Sequence, residues 1–257
     1  MEENFKRKHI QREKDVNNAI AQLKSESYES FSMKKLYDDH YKHIADRLCS
    51  NSGLVEVGCG TGEFITRHLR SFPECKLIGV DVADKCIEVV RKKLQFLCAT
   101  DVQLLVGDSA ELYELLQCSS STPSVHGVIM RGVVHHLAEP EDTFKSVYKS
   151  LSDGGQLVIL EGNVDSLYRK FVLWIADSFG VEHEASEFTH TSPKLIQKEL
   201  EHIGFHNVEV SYIPGLFAPV AYLGIGGERF WKVLGVLNSA LGRFGFGWWY
   251  LLTAKKG

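Results

Sequence analysis

From Gly53 onward, short apolar runs alternate with amphipathic segments along the chain. GLVEVG, KLIGVD, VQLLVG, VHGVIM and QLVILEG each read as a buried strand. Helices are predicted between them, over about 63–71, 85–96, 110–116 and 141–151. Strands separated by helices of this length imply parallel pairing, right-handed crossovers and helices on both faces of the sheet. Before this region, charged helical segments fill residues 1 to about 50, with Val16, Ala19, Ile20 and Leu23 on one apolar stripe and Leu36, His40, His43, Ile44 and Leu48 on another. Both are expected to lie across a core.

After Gly162 the regularity loosens. LYRKFVLWIADSF puts Leu167, Phe171, Trp174, Ile175 and Phe179 at helical spacing, and the polar stretch VEHEASEFTHTS follows. SPKLIQKELEHIGF reads as a helix with Ser192 as N-cap, Pro193 at its first position and Gly204 just past its end. NVEVSYI and WWYLLTAK supply a sixth and a seventh strand, separated by an apolar stretch that carries Phe230, Val233, Leu234, Leu237, Leu241 and Phe244 on one stripe. The fold class is therefore α/β, a doubly wound seven-stranded sheet in a single domain over 1–257. N-terminal helices occupy 1–50 and the main core 51–162; insertions at 163–191 and 213–245 follow strands five and six, and 192–212 and 246–257 complete the core. By periodicity alone the stripes in the insertions suit a core as readily as a lid.

Composition narrows the class. At 257 residues and 44% hydrophobic the chain buries enough surface to fold unaided, which excludes disorder. A charge of −4, from 29 basic and 33 acidic residues, argues against a nucleic-acid binder, whose surface needs positive charge to displace counterions from phosphates. The cluster Lys6, Arg7, Lys8, Arg12 and Lys14 reads as a solvated helix face. Six cysteines without a CxxC suggest a reducing compartment. The charged start MEENFKRKHIQREK lacks the apolar stretch of a signal peptide, and no run of apolar residues is long enough to span a bilayer as a helix. A cytoplasmic location is expected, with peripheral membrane contact left open by PGLFAPVAYLGIGG, which carries no charge.

The sharpest motif is VEVGCGTGE, a strand running through a GxGxG turn into a helix. Glycine is needed where the backbone must approach a ligand closely or adopt positive φ. The dinucleotide fingerprint GxGxxG would place glycine where Glu63 stands, and no GK[ST] follows, so neither a nicotinamide site nor a P-loop is indicated. Asp81 closes the second strand about 20 residues on, a spacing at which a carboxylate accepts from both hydroxyls of a ribose, the alternative being a helix cap. Asp108 and Ser109 after strand three suit an adenine amino group or a helix cap equally. Arg131 and Gly132 end strand four, followed by His135 and His136. All these groups fall at the carboxyl ends of parallel strands, where open α/β sheets bind ligands.

Taken together, VEVGCGTGEF, LIGVD, VGDSAEL, VIMRGVVHHL and LSDGGQLVILEG resemble the motifs of class I S-adenosylmethionine-dependent methyltransferases, over roughly residues 34–212 and the last ten. The resemblance implies a Rossmann-like methyltransferase sheet with S-adenosylmethionine as cofactor and S-adenosylhomocysteine as product. It places Glu56, Gly58, Cys59, Gly60 and Gly62 at the methionine end, Asp81 and Val82 at the ribose, and Asp108 and Ser109 at the adenine, with Arg131 and Gly132 also at the cofactor. His135 stands where similar small-molecule O-methyltransferases carry a histidine base; His136 is the second candidate. If the insertions form a substrate lid, Tyr168, Trp174, His190, Phe217 and Tyr222 face a small, apolar acceptor. His183 and His190 among glutamates fit no zinc spacing, and no metal is expected. Competing readings are a protein or RNA methyltransferase and a family member without transfer activity.

Overall fold

The computed structural model describes residues 2–27, 31–48, 53–119, 124–178, 191–214 and 247–257. Two helices open the chain, α1 (Glu2–Ser27) and α2 (Phe31–Ala45). Then β1 (Leu54–Val57), α3 (Glu63–Ser71), β2 (Leu77–Asp81), α4 (Asp84–Phe96), β3 (Val102–Val106), α5 (Leu112–Gln117), β4 (Gly127–Arg131), α6 (Pro140–Ser150) and β5 (Gln156–Gly162) alternate as the pattern predicts. Helix α7 (Leu167–Ser178), α8 (Pro193–Ile203), β6 (His206–Pro214) and β7 (Gly247–Lys255) follow. The seven strands run in the order β3-β2-β1-β4-β5-β7-β6. Strands β1 to β5 pair in parallel, and β7 pairs antiparallel with both β5 and β6. The order reverses between β1 and β4, so their carboxyl ends part to leave the crevice in which doubly wound sheets bind ligands.

Alternating side chains send each strand to two cores. Leu54, Ile129, Val158, Leu160 and Leu251 meet α2, α3 and α4 on one face. Val55, Val57, Val128, Met130, Leu157 and Tyr250 meet α5, α6 and α8 on the other. Helix α8 begins at Pro193 and ends at Gly204, whose φ of +116° closes the last turn, as the sequence indicates. Ser192 occupies the N-cap position, but its hydroxyl donates to Asp165 Oδ2 at 2.8 Å instead of capping the helix.

The N-terminal helices divide. Leu36, His40 and Ile44 of α2 are buried in the first core, as their stripe predicts. The stripe predicted for α1 does not face the body: Val16 is 47% exposed and Ala19 is exposed, whereas Glu13 and Ala21 are turned inward. Against the body α1 sets Glu13, Lys14 and Asn18 on polar partners and Ala21 on Ala83, Cys86 and Val89 at the start of α4, so its inward face is mixed. Among the described residues no helix is long and apolar enough to cross a membrane.

Candidate active site

The glycine turn is shaped by its neighbours. Gly58 has φ +67°, and a Cβ there would come within 2.3 Å of Val133 Cγ2, so only glycine lets β1 pass under the β4 loop. Gly60, at φ +51°, and Gly132 have open space where a side chain would stand, and they face the crevice from β1 and β4. The Gly58 and Cys59 N–H groups donate to Val80 O at 2.8 and 3.1 Å, and the Gly60 N–H donates to Asp81 Oδ2 at 2.8 Å. Asp81 Oδ1 accepts from the Ala83 N–H at 2.8 Å, so this carboxylate ties the glycine turn to the Val82 turn. Gly62 stands at the N-cap of α3.

Glu63, the residue that breaks the dinucleotide fingerprint, is a clamp that sequence reasoning missed. Its carboxylate meets Lys93 Nζ at 2.6 Å and Arg67 Nη1 at 2.8 Å, and Lys93 also donates to Thr61 O at 3.0 Å. A charged side chain where other folds need glycine is the one signal that pointed to it.

Glu56 and Arg131 share a face two registers apart on β1 and β4, under Tyr37 of α2, whose ring lies 4.4 Å from the Arg131 guanidinium carbon. Tyr37, Tyr41, Glu63, Phe64, Arg67 and Arg131 line a hollow here. Glu56 is fully buried, and neither oxygen has a partner in hydrogen-bond geometry. Burial pushes its carboxyl up to about 8; the Arg131 charge and, more weakly, the Ile65 N–H oppose the shift, while the Asp81 and Glu63 charges add to it. Thr61, in the glycine turn, likewise buries a hydroxyl without a partner, and buried polar groups left so are candidates for the hydrogen bonds of a ligand.

At the other end, Asp108 Oδ1 accepts from the Ala110 N–H at 3.0 Å, capping the turn Ser109–Glu111, and Ser109 Oγ lies 3.0 Å from Thr143 Oγ1. The capping role left open by the sequence is thus realised, with Asp108 Oδ2 still available. The Cys59 thiol is buried, 1% exposed, and lies toward Gly79, so what this residue presents to the crevice is backbone.

His135 and His136 lie on the turn Val134–His136 after β4, their ring centroids 3.9 Å apart. His135 Nδ1 is 3.0 Å from Oε1 of Glu161, the penultimate residue of β5. Glu161 is 2% exposed, and it also accepts from the Gly162 and Val134 N–H groups at 2.9 and 3.0 Å. Burial alone would raise this carboxyl; the charge and hydrogen bond of His135, with the Gly162 N–H, hold it below the ordinary range. Nothing in the local sequence singles out Glu161, because the pairing is made by strand order. Tyr168 packs edge-on against Trp248 at 5.7 Å, while Leu167, Phe171 and Trp174 point outward from α7, 82%, 57% and 64% exposed. Of that stripe the side chains of Ile175 and Phe179 lie outside the described residues, while Tyr168 and Val172 of the same helix pack on the first core. His190, Phe217 and Tyr222 lie outside the described residues, as does the stripe from Phe230 to Phe244. Among the described residues no group of three or more His, Cys, Asp or Glu side chains is placed to hold a metal ion.

A methyltransferase-domain family model matches residues 55–157, the span that holds the glycine turn, Asp81, Asp108 and the histidine pair. Over that span, less than half of the chain, the sequence is similar to the S-adenosylmethionine-dependent methyltransferases of class I. A tRNA (guanine-N(7)-)-methyltransferase of Rubrobacter xylanophilus is 23% identical over 124 residues, 43% of this chain and 52% of that protein. A malonyl-[acyl-carrier protein] O-methyltransferase of Anoxybacillus flavithermus is 30% identical over 111 residues, 41% of this chain and 37% of its own length. The chain thus spans about half or less of these curated relatives. The solved structure of a possible histamine N-methyltransferase from Thermotoga maritima superposes with a TM-score of 0.62 at 15% identity, covering 95% of this chain and 99% of the other, which is a likeness of fold. S-adenosylmethionine is the cofactor of the family, and the residues present fit it: Glu56 and Arg131 for the charged methionine end, Asp81 for the ribose, Asp108 for the adenine.

Proposed function

We propose that this protein moves a methyl group from S-adenosylmethionine to a small, hydrophobic acceptor bearing an ionisable O–H or N–H, with His135 as general base. The observation that carries the reading is the 3.0 Å contact between His135 Nδ1 and the buried Glu161 carboxylate. A carboxylate takes the Nδ1–H, which fixes the tautomer and leaves Nε2 as the unprotonated ring nitrogen. The cofactor supplies an electrophilic methyl on a positively charged sulfur. The protein has to hold the acceptor in line, exclude water and accept one proton, at His135 Nε2. Glu161 offsets the charge that the ring gains.

The exposed apolar row Leu167, Phe171 and Trp174 lies on the helix that follows β5 and supports an apolar acceptor. The overall charge of −4 gives no field for tRNA and favours this reading over that relative's substrate.

Calorimetric titration with S-adenosylhomocysteine, followed by transfer of radiolabelled methyl to apolar hydroxyl and amine acceptors, tests the proposal. His135→Ala should abolish transfer and leave cofactor binding intact. Glu161→Gln should lower kcat roughly 10²-fold or more, since base catalysis supplies about that much, and shift the pH profile. Failure of the folded protein to bind S-adenosylhomocysteine would overturn it. Because burial keeps Glu56 protonated near neutrality, docking of a ligand ammonium should expel up to about one proton at pH 7. Titrations in buffers of different ionisation enthalpy read that proton, and Glu56→Gln should remove it.

A further inference from the structure

Helix α1 buries little apolar surface, yet its side chains reach loops on both sides of the crevice. Lys6 Nζ is 2.6 Å from Asp142 Oδ2 in the first turn of α6. His9 Nε2 lies 3.0 Å from His136 O, and Glu13 Oε2 lies 3.1 Å from His136 Nδ1. Lys14 Nζ is 3.3 Å from Asp84 Oδ1 at the start of α4. Asn18 donates to Asp84 Oδ1 at 2.8 Å and accepts from the Lys85 N–H at 2.9 Å. The apolar contact is Ala21 against Ala83, Cys86 and Val89. These anchors lie on the segments after β2 and β4, and between them lie Gly60, Asp81 and Gly132. A helix that bridges those loops stands across the mouth of the crevice.

Glu13 is the unusual member. It is 8% exposed on a helix whose flanks are solvated, its Oε2 lies 3.1 Å from His136 Nδ1, and the neighbouring His136 holds its carboxyl below the ordinary range against the opposing effect of burial. Glu13 is mostly shielded and His136 partly so, and parting such a pair requires water to enter between them. His136 packs on His135, so the same movement would decide whether water reaches the base.

We propose that α1 is a strap over the cofactor crevice, latched by Glu13–His136, Lys6–Asp142 and Lys14–Asp84, and that its release gates exchange of S-adenosylmethionine and S-adenosylhomocysteine. The inference rests on the cofactor reading above. Its chemistry is that of ion pairs, two of them partly exposed and open to screening by salt.

Stopped-flow binding of S-adenosylhomocysteine to the full-length protein tests it, comparing wild type with Lys6→Ala/Glu13→Gln/Lys14→Ala, whose changes all lie on α1 and leave the crevice walls intact. Association and dissociation should both accelerate, roughly tenfold if the three contacts together contribute about 1.4 kcal/mol. Wild-type rates should rise with added salt, and those of the triple variant should respond far less. Lys8→Ala, which removes one exposed cation of α1 and no latch, should change neither rate. Hydrogen exchange of the α1 amides reports release of the strap independently. Faster α1 exchange with unchanged ligand rates overturns the gate, and unchanged α1 exchange overturns the latch. Equal acceleration by Lys8→Ala would assign the effect to charge steering and also overturn the gate. If wild type binds no S-adenosylhomocysteine the cofactor reading fails as well, whereas ligand rates insensitive to the variants sink the strap alone.

Discussion

Helices α1 and α2 are adjacent in the chain and both rich in charge, yet they are held by different physics. Met33, Leu36, His40 and Ile44 of α2 enter the core beside Phe64, Ile129 and Leu160, and Tyr37 and Tyr41 form a wall of the hollow over Arg131. α1 turns Glu13 and Ala21 inward and leaves Phe5 and Val16 66% and 47% exposed. Apolar burial is short-ranged, insensitive to salt and hard to undo piecemeal; ion pairs at a polar surface contribute little net stability and are screened. One helix is thereby part of the body, and the other is the one proposed above as a removable cover.

The comparison can be broken most forcefully at Ile44, 0% exposed: Ile44→Ala should cost about 2–4 kcal/mol in denaturant unfolding. A cost below about 1 kcal/mol would mean that α2 is not core. Next comes acid. His40 sits 5% exposed, edge-on to Trp249 at 4.6 Å with both ring nitrogens unpartnered, and burial first, then the Arg131 charge, holds its pKa well below the ordinary value. His68, packed against Phe64 and Phe72, is lowered to about 4 by burial. Each stays neutral in the folded state while the unfolded chain takes up a proton below about pH 6.5. Stability therefore falls with pH through that range, by up to about 1.4 kcal/mol per pH unit for each group. His40→Leu should flatten the fall in melting temperature between about pH 6.5 and 5; an unchanged slope would place the acid sensitivity elsewhere. Smaller again is the difference in hydrogen exchange, where α1 amides should open at a fraction of the global unfolding free energy and those of α2 close to it. Smallest is Val16→Ala on the outer face of α1, within about 0.5 kcal/mol of wild type.

The alternation from Gly53 to Gly162, the glycine turn, the acidic strand end and the histidine pair were all legible, because each is written in a few consecutive residues under local constraints: strand burial, positive φ, helix spacing. Pro193 and Gly204 marked the ends of α8 for the same reason. The stripe on α1 misled because amphipathic spacing tells which residues share a face and not whether that face meets an apolar or a polar neighbour. Glu161 could not be picked out, since its partner His135 lies 26 positions away and reaches it only because β4 and β5 are neighbours.

By itself the sequence determined the strands and helices, the fold class and the family, which depend on near neighbours and recurring spacings. Tertiary structure alone decided that Glu63 clamps the glycine turn, that Glu56 is left buried without a partner, that Glu161 orients His135 and that α1 lies across the crevice. Each of these depends on the distance and dielectric between groups far apart in the chain, and those quantities exist only once the sheet has assembled.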